Sequence, residues 1–360
     1  MSDNLSVLIV DDSLIFRHVV TDALEKEAGI HVAGSVRNGA KALEHIQRSP
    51  PDLVTLDVEM PEMNGLQTLT EIKKIERERG GGEIGVIMLS AYTRKGADIT
   101  IRALELGAFD FVAKPQGTSE VDSVQRLKAS LLPKIHYFAS RKSLSGRVAA
   151  LPDSVARAPR KTTPATEEIK ALLIGVSTGG PKALTRIMPD LCKKVTVPTL
   201  IVQHMPETFT TSLAESLNKR CLHTVKEARE GDVVERETVY IAPGGRHMVL
   251  RRGIGGKPII ALNQHPPQNG CRPSVDVLFR SAPEVLGGRF VAAIMTGMGK
   301  DGADSLRAIN RAGAHIIAQD EASSVVWGMP GSAVATGYVD HVVPLDNIPA
   351  VIARIVNERK

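Results

Sequence analysis

Short apolar runs of strand length alternate with helical stretches along most of the chain, and this alternation restricts the fold more than any other feature. In the first third, apolar runs occupy residues 7–10, 53–56, 86–89 and 109–113, and amphipathic stretches lie between them. Strands separated by helices pair in parallel, with the helices covering the sheet. The pattern therefore predicts an N-terminal α/β domain built on a parallel sheet.

The same alternation returns after residue 168. Apolar runs there cover residues 171–176, 198–202, 239–241, 290–295 and 314–318. They predict a second, doubly wound α/β domain, as expected for a chain of 360 residues, which is too long for one ordinary core. Between residues 233 and 262 the spacing shortens and two glycine-rich turns appear, which predicts a β-hairpin excursion from this domain.

A segment with a different composition separates the two patterns. Residues 140–166 contain three prolines and many small residues, and they lack sustained apolar periodicity. Six basic residues and a single acid between residues 141 and 161 carry much of the net charge of +5, so this excess predicts a solvated linker rather than a nucleic-acid site. The predicted division is a first α/β domain over 1–135, a linker over 136–168 and a second α/β domain over 169–360.

Composition also predicts the compartment. The longest apolar runs fall far short of the roughly 20 residues that span a bilayer, and no basic n-region opens the chain, so we expect a cytoplasmic protein without membrane insertion. Cys192, Cys221 and Cys271 form no CxxC pair, which fits a reducing compartment. None of the three follows a strand at a sharp turn, which argues against a cysteine nucleophile.

Polar residues follow each strand of the predicted N-terminal sheet. Asp11 and Asp12 come after the first run, Asp57 after the second, Ser90 after the third and Lys114 after the fourth. Carboxyl ends of parallel strands meet at one edge, so these side chains should converge. Clustered carboxylates repel unless they share a cation, and Mg²⁺ suits oxygen ligands. Single aspartates often only cap helices, but five such residues in this order favour a phosphoryl-transfer site.

This set of residues resembles the response-regulator receiver pattern over about residues 5–130. The resemblance implies a flavodoxin-like, five-stranded parallel sheet. It also implies that Asp57 accepts a phosphoryl group from a histidine kinase, with Mg²⁺ held by Asp11, Asp12 and Asp57 and with Ser90 and Lys114 supporting the phosphoryl oxygens. Phe111 stands where receivers often carry a rotameric switch aromatic.

A glycine-rich turn follows the first strand of the second domain. Residues 175–179 read Gly-Val-Ser-Thr-Gly and precede a helical stretch, which matches the G-x-S-x-G nucleophile elbow around Ser177. A turn of this kind can also cradle a nucleotide at the helix N-terminus. The full G-x-G-x-x-G fingerprint and the P-loop lysine pattern are both absent here, but the sequence leaves this alternative open.

A serine nucleophile needs a base and an acid that orients it. His204 follows the run at 198–202, and Asp301 follows the run at 290–295, so both should reach the sheet edge that carries Ser177. Taken singly, His204 could be a core histidine and Asp301 a helix N-cap. Four other histidines are weaker candidates for the base, because none follows the clear carboxyl end of a parallel strand: His223, His247, His265 and His315. No His/Asp/Glu pair at helical metal-ligand spacing lies in a predicted helix of this domain, so a metal centre is not predicted there.

The order Ser, His, Asp differs from that of α/β-hydrolases, which run Ser, Asp, His. With the N-terminal domain, the motifs at 175–180, 203–206 and 296–302 resemble the chemotaxis protein-glutamate methylesterases of the CheB type, over essentially the whole chain. The resemblance implies hydrolysis of glutamate methyl esters, and deamidation of certain glutamines, on methyl-accepting chemoreceptors. It further implies phosphorylation by the chemotaxis histidine kinase, no cofactor for the esterase reaction, and an oxyanion region at Thr178 and Met298.

Two other classes of output remain as alternatives. A DNA-binding output is disfavoured because the second domain is too long and too rich in strands for a helix-turn-helix module and has no basic recognition helix, so no nucleic-acid partner is expected. A non-catalytic, nucleotide-sensing output would use the turn at residues 177–180, and a serine-directed inhibitor would distinguish it from an esterase.

Overall fold

The computed structural model describes residues 4–80, 82–115, 120–144 and 168–358. The chain divides into two compact units, Met1–Leu151 and Pro152–Lys360. A parallel sheet lies at the centre of each unit. The two units are described separately below.

The N-terminal unit alternates strands with helices, as its sequence predicts. Its elements are β1 Leu5–Val10, α1 Leu14–Leu24, β2 Ile30–Val36, α2 Gly39–Arg48, β3 Leu53–Asp57, α3 Gly65–Arg79, β4 Gly85–Ser90, α4 Arg94–Glu105, β5 Asp110–Ala113 and α5 Glu120–Leu144. The five strands pair in parallel in the order β2-β1-β3-β4-β5. This order is flavodoxin-like, and the predicted five-stranded sheet is confirmed.

Helix starts in this unit lie just beyond the carboxyl ends of the strands. Ser13, Asn38, Asn64 and Thr93 are the N-caps of α1 to α4, and each side chain accepts a hydrogen bond from a backbone N–H group of the first turn. Each such cap stabilises its helix by about 1 kcal/mol. Short polar loops therefore connect strands to helices along the edge of the sheet where the acidic residues lie.

The C-terminal unit has a larger sheet and a separate hairpin. Its elements are β6 Ala171–Val176, α6 Gly180–Lys194, β7 Thr199–Gln203, α7 Glu207–Asn218, β8 Thr224–Glu227, β9 Thr238–Ile241, β10 His247–Arg252, β11 Pro258–Asn263, α8 Val275–Leu286, β12 Phe290–Ile294, α9 Leu306–Ala312, β13 His315–Gln319, α10 Gly328–Ala335, β14 His341–Val343 and α11 Ile348–Asn357. Seven strands pair in parallel in the order β14-β13-β12-β6-β7-β9-β8. Strands β10 and β11 form an antiparallel pair. The doubly wound sheet and the hairpin excursion are thus both confirmed.

Strand β6 lies at the point where the chain changes direction across this sheet. The chain passes from β6 to β7, then to the edge strand β8 and back to β9 on one side, and it later returns to β12 on the other side of β6. Open α/β sheets bind ligands at the carboxyl ends of strands beside such a reversal. The residues that follow β6, β7 and β12 therefore stand at the expected site.

Helix α8 covers the sheet beneath this edge. Its buried residues Val275, Leu278, Phe279, Ala282 and Leu286 recur at helical spacing, so they form one apolar face. That face belongs to the core cluster that includes residues of β6, β10 and β12. Burial of Phe279 alone stabilises the fold by roughly 1.5–3 kcal/mol. The same packing fixes the N-terminus of α8 next to the carboxyl end of β12.

The boundary between the units differs in part from the predicted linker of residues 136–168. Helix α5 continues through residues 136–144, so these residues belong to the last helix of the first unit. Residues 145–167 lie outside the described part of the chain. Among the described residues, none of the helices combines the length and apolar character needed to cross a membrane.

Candidate functional site

The acidic residues of the N-terminal unit converge on one lysine. The Lys114 Nζ atom lies 2.7 Å from Asp11 Oδ2 and 2.9 Å from Asp57 Oδ1. Asp11 and Asp57 are buried, whereas Asp12 beside them is exposed. One oxygen from each of Asp11, Asp12 and Asp57 lies within 4.8 Å of the other two. The structure thus brings together four of the five residues that their strand-end positions single out.

The charges of this cluster are incompletely balanced. Burial raises the pKa of Asp57 to about 6, since the nearby Asp11 adds to the effect of burial and Lys114 opposes it only in part. Burial also raises the pKa of Asp11. Three carboxylates beside one ammonium group leave net negative charge at a partly buried site. An all-oxygen donor set of this kind suits a hard divalent cation such as Mg²⁺, so these residues fit the predicted ion.

Ser90, at the end of β4, completes the predicted set. It is buried, and its carbonyl oxygen accepts a hydrogen bond of 2.7 Å from the Lys114 N–H, which joins the ends of β4 and β5. Phe111 is buried on β5, where it pairs with Met88 of β4. Gly65 packs so closely on the Asp57 backbone that an added Cβ would lie 2.2 Å from the Asp57 carbonyl oxygen. A glycine here lets α3 begin directly against the end of β3.

The serine turn of the C-terminal unit has the strand-turn-helix geometry predicted for it. Strand β6 ends at Val176, Ser177 is half-buried, and Gly179 caps α6 with a φ of +78°, a conformation that side chains disfavour. An added Cβ at Gly175 would lie 2.4 Å from a methyl carbon of Val275, so this glycine lets α8 approach the strand. Backbone conformation at Gly179 and close packing at Gly175 therefore explain why the motif has glycine at both positions.

Adjacent strands place His204 beside Ser177. In the β6/β7 ladder Val176 pairs with Gln203, so the next residues on the two strands are Ser177 and His204. The His204 N–H donates to the Val176 carbonyl at 3.3 Å. The Gln203 side-chain amide donates to the Ser177 carbonyl at 3.0 Å. The serine and the histidine are thus held side by side by the strand register and by a side-chain hydrogen bond.

Asp301 orients the imidazole. The His204 Nε2 and Asp301 Oδ2 atoms are 2.8 Å apart, and the aspartate is only 2% exposed. Its two oxygens accept four further hydrogen bonds, of 2.7–3.2 Å, from groups around the N-terminus of α8: the Val275 N–H, the Asp276 N–H, Ser274 Oγ and Asn269 Nδ2. Asp301 therefore caps α8, which precedes it in the chain, rather than the helix that follows it.

These contacts move the two pKa values in opposite directions. Burial disfavours the charged form of Asp301, but the hydrogen bond from His204 and the donors at α8 outweigh it and hold the pKa of Asp301 well below its usual range. Burial likewise favours neutral His204, but hydrogen bonds to Asp301 and to Cys271 raise the pKa of the imidazole to about 9. Asp301 is thus ionised at neutral pH, and the site stabilises a histidine that has taken up a proton.

Cys271 is the neighbour of His204 that sequence reasoning missed. Its Sγ atom lies 3.5 Å from His204 Nδ1, the ring nitrogen that is not bonded to Asp301. Cys271, Asn269 and Ser274 all lie on the connection between β11 and α8. Irregular backbone of this kind gives no periodic signal that could place them at the site. Only the Ser274 position, just before a helix, suggests a cap, and that pattern does not reveal a contact with Asp301.

The predicted oxyanion region lies against the serine. Thr178 is buried, and its carbonyl oxygen accepts a hydrogen bond of 2.9 Å from the Thr296 hydroxyl. The Ser177 N–H donates to the Thr296 carbonyl at 3.0 Å. An added Cβ at Gly297 would lie 2.8 Å from the Ser177 Cβ, so the half-buried Met298 that follows is close to Ser177. The N-terminus of α6 adds a positive dipole end at the same place.

His247 also lies near Asp301, and its hydrogen bonds argue against it as the base for Ser177. It is buried, its Nδ1 accepts from the Ser274 N–H at 3.2 Å, and its Nε2 lies 3.2 Å from the Pro266 carbonyl oxygen. Both ring nitrogens are therefore engaged. His247 supports the segment that carries Ser274.

A regulatory receiver followed by an α/β hydrolase is the class of protein that this fold and these two clusters define. Comparison with known families agrees with it: residues 7–125 match the response regulator receiver domain, and residues 172–352 match CheB methylesterase. The chain belongs to the CheB methylesterase family. This membership excludes the DNA-binding output and the nucleotide-sensing output as interpretations of the second domain.

Curated relatives extend the similarity over nearly the full chain. The chain is 43% identical to the protein-glutamate methylesterase/protein-glutamine glutaminase of Desulfotalea psychrophila, over 98% of this chain and 99% of that protein. It is 42% identical to the protein of the same name from Pyrococcus abyssi, over 98% and 94% respectively. The solved Thermotoga maritima CheB methylesterase catalytic domain is 41% identical, with a TM-score of 0.50, and covers 52% of this chain and 98% of that domain.

Proposed function

We propose that this protein is a phosphorylation-regulated serine hydrolase that demethylates glutamate methyl esters, and deamidates certain glutamines, on methyl-accepting chemoreceptors during chemosensory adaptation. The observation that carries the proposal is the 2.8 Å hydrogen bond between His204 and the ionised Asp301 beside the elbow serine Ser177. The substrate class rests on the relatives named protein-glutamate methylesterase/protein-glutamine glutaminase. Residues 169–360 form the catalytic domain in this proposal.

In the first half of the reaction, Ser177 Oγ attacks the ester carbonyl carbon while His204 Nδ1 takes its proton. Asp301 keeps the other ring proton on Nε2 and stabilises the imidazolium without becoming protonated. The tetrahedral oxyanion is held by backbone N–H groups at Thr178 and Met298 and by the N-terminus of α6. His204 then returns the proton to the methoxy group, methanol leaves, and an acyl-serine remains. A glutamine substrate releases ammonia at the same step.

In the second half, water replaces the alcohol. His204 takes one proton from the water as its oxygen attacks the acyl-serine, and this proton passes to Ser177 Oγ as the glutamic acid product leaves. The product then loses the second water proton to solvent and becomes the glutamate carboxylate. The cycle returns every group to its starting protonation state. It needs no cofactor because the serine, the base and the oxyanion donors all come from the chain.

In the receiver, Asp57 is the phosphoryl acceptor and a chemotaxis histidine kinase is the donor. Bound Mg²⁺, held by Asp11, Asp12 and Asp57, would neutralise charge on the phosphoryl oxygens. Lys114, already 2.9 Å from Asp57, and Ser90 would bind oxygens of the attached group. Phe111 is the proposed switch aromatic. We place the protein in the cytoplasm, without membrane insertion or nucleic-acid binding, and its three free cysteines fit that compartment.

The decisive experiment measures methanol release from methylated receptor membranes by the full chain. Ser177→Ala should lower the rate by roughly three to six orders of magnitude and leave thermal unfolding unchanged. Ser324→Ala is the matched control, since Ser324 has similar exposure in the same unit. Retained activity in Ser177→Ala would refute the assignment. A phosphodonor should raise the rate of the wild type and leave Asp57→Asn unaffected.

A further inference from the structure

The catalytic histidine has a thiol as its second polar neighbour. Cys271 Sγ lies 3.5 Å from His204 Nδ1, and Cys271 is partly exposed. It lies on a tight turn in which it exchanges backbone hydrogen bonds with Gln268. This turn fixes the sulfur beside the imidazole. One ligand atom each from His204, Cys271 and Asp301 lies within 4.8 Å of the others.

The separation of nitrogen and sulfur suits a tetrahedral metal ion. Zinc binds imidazole nitrogen at about 2.0–2.1 Å and thiolate sulfur at about 2.3 Å, and a tetrahedral angle between these bonds separates the two atoms by roughly 3.5–3.6 Å. The observed 3.5 Å therefore matches the separation expected for two ligand atoms of one such ion. A nitrogen and a sulfur ligand together favour Zn²⁺ over Mg²⁺ or Ca²⁺.

Asp301 strengthens this arrangement without coordinating the ion. Histidines that bind metals commonly donate their second ring N–H to a carboxylate, which fixes the tautomer and makes the coordinating nitrogen more basic. The 2.8 Å bond from His204 Nε2 to Asp301 has this geometry, and it leaves the Nδ1 lone pair directed away from the acid. The oxygens of Asp301 are occupied by donors at the start of α8. Water would complete the coordination of the ion.

We propose that His204 Nδ1 and Cys271 Sγ form a Zn²⁺-binding site that inhibits the hydrolase. On binding, the Cys271 thiol and the His204 imidazolium each release a proton to solvent, so that Sγ and the Nδ1 lone pair can coordinate the metal. That same lone pair must accept the Ser177 proton during catalysis, so metal binding and turnover exclude each other. The inhibitory consequence rests on the proposed function, whereas metal binding does not.

Binding is tested on the full chain with Co²⁺ as a spectroscopic substitute for Zn²⁺. Co²⁺ should produce a thiolate-to-metal charge-transfer absorption, which added Zn²⁺ abolishes. Carboxylate clusters such as the one around Asp57 give no such band. The band should be lost in Cys271→Ala and Cys271→Ser and kept in Cys221→Ala, which removes a thiol of similar exposure. Asp301→Asn should weaken the affinity about 10- to 100-fold.

Inhibition is tested by adding Zn²⁺ to the ester hydrolysis assay. Zn²⁺ should stop hydrolysis by the wild type, a chelator should restore it, and Cys271→Ser should require at least about tenfold more Zn²⁺. A folded wild type without the charge-transfer band, or a band of equal strength in Cys271→Ser, would overturn the site. Inhibition that is equal in the wild type and in Cys271→Ser would overturn its inhibitory role. A band in a protein without hydrolase activity would support the site and reject the proposed function.

Discussion

Replacing Asp301 with asparagine tests how the site uses its buried carboxylate. Asp301 Oδ2 accepts from His204 and from the Val275 N–H, while Oδ1 accepts from donors that include Ser274 and the Asp276 N–H. An asparagine has only one oxygen, so its amide N–H₂ must face one of these donor sets. Either orientation removes the negative charge and leaves donors without an acceptor.

The structure sets the size of the effect. The pKa of His204 stands at about 9 against an ordinary 6.5, and Asp301 is the largest favourable cause. Losing most of this difference removes about 3 kcal/mol of imidazolium stabilisation, since one pKa unit corresponds to about 1.4 kcal/mol. The rate should then fall by two to three orders of magnitude, and by about four if the amide also reverses the histidine tautomer. Each buried donor left without an acceptor lowers the free energy of unfolding by about 1–3 kcal/mol more, which is the usual cost of an unsatisfied buried group.

The assay is kcat for methyl-ester hydrolysis, with KM and thermal unfolding measured in parallel. We expect a large loss in kcat, a similar KM and a folded protein. Asp304→Asn is the control, because this exposed aspartate lies three residues away and pairs with Lys300 at the surface. If folded Asp301→Asn keeps kcat within tenfold of the wild type, Asp301 does not support His204 in the way its hydrogen bonds indicate.

Three further predictions concern pH and packing. Only neutral His204 can accept the serine proton, so kcat/KM should rise with pH up to about 9. Cys271→Ala should move this rise to lower pH, because the thiol helps to raise the pKa of His204. A rise near pH 6.5 in both proteins would contradict this prediction. The pKa of Asp57 is raised from 3.8 to about 6, so ionisation of Asp57 destabilises the receiver as pH increases through this interval. Asp57→Asn should therefore raise the free energy of unfolding of the receiver by about 1–3 kcal/mol above pH 6 and leave it unchanged below pH 4. Calorimetry of the full chain measures this difference. Gly65→Ala should destabilise the receiver by about 1–3 kcal/mol and impair phosphorylation, because the alanine Cβ would lie 2.2 Å from the Asp57 carbonyl oxygen. Unchanged thermal unfolding and unchanged phosphoryl uptake would show that α3 can shift freely.

The positions of the principal site residues could be predicted because they depend on a topological rule. Asp57 and Lys114 in one sheet, and Ser177, His204 and Asp301 in the other, each follow an apolar run. Parallel strands bring their carboxyl ends to one edge, so the sequence positions translate directly into proximity. The rule holds for both sheets because all their strand pairs are parallel.

Residues on irregular or half-exposed backbone could not be predicted in this way. Strands β2, β8 and β14 were missed because edge strands mix polar and apolar side chains and lack a continuous apolar run. Cys271 was set aside as a nucleophile because it follows no strand at a sharp turn. The loop before α8 also has no periodicity from which the direction of the thiol could be inferred. Its position depends on the cap that Asp301 provides to α8, a contact between segments about 26 residues apart.

Asp57 and Asp301 show how one residue type at equivalent places in two sheets acquires opposite properties. Both are buried at the carboxyl edge of a parallel sheet. Asp301 accepts five hydrogen bonds at the start of a helix, so it remains ionised and can support a cationic imidazole throughout a reaction. Burial raises the pKa of Asp57 to about 6, because the neighbouring Asp11 carboxylate adds to this effect and Lys114 offsets it only in part. The donors around each carboxylate, rather than its depth in the fold, therefore decide whether it serves as a fixed charge or as a group whose charge a cation or a phosphoryl group can still change.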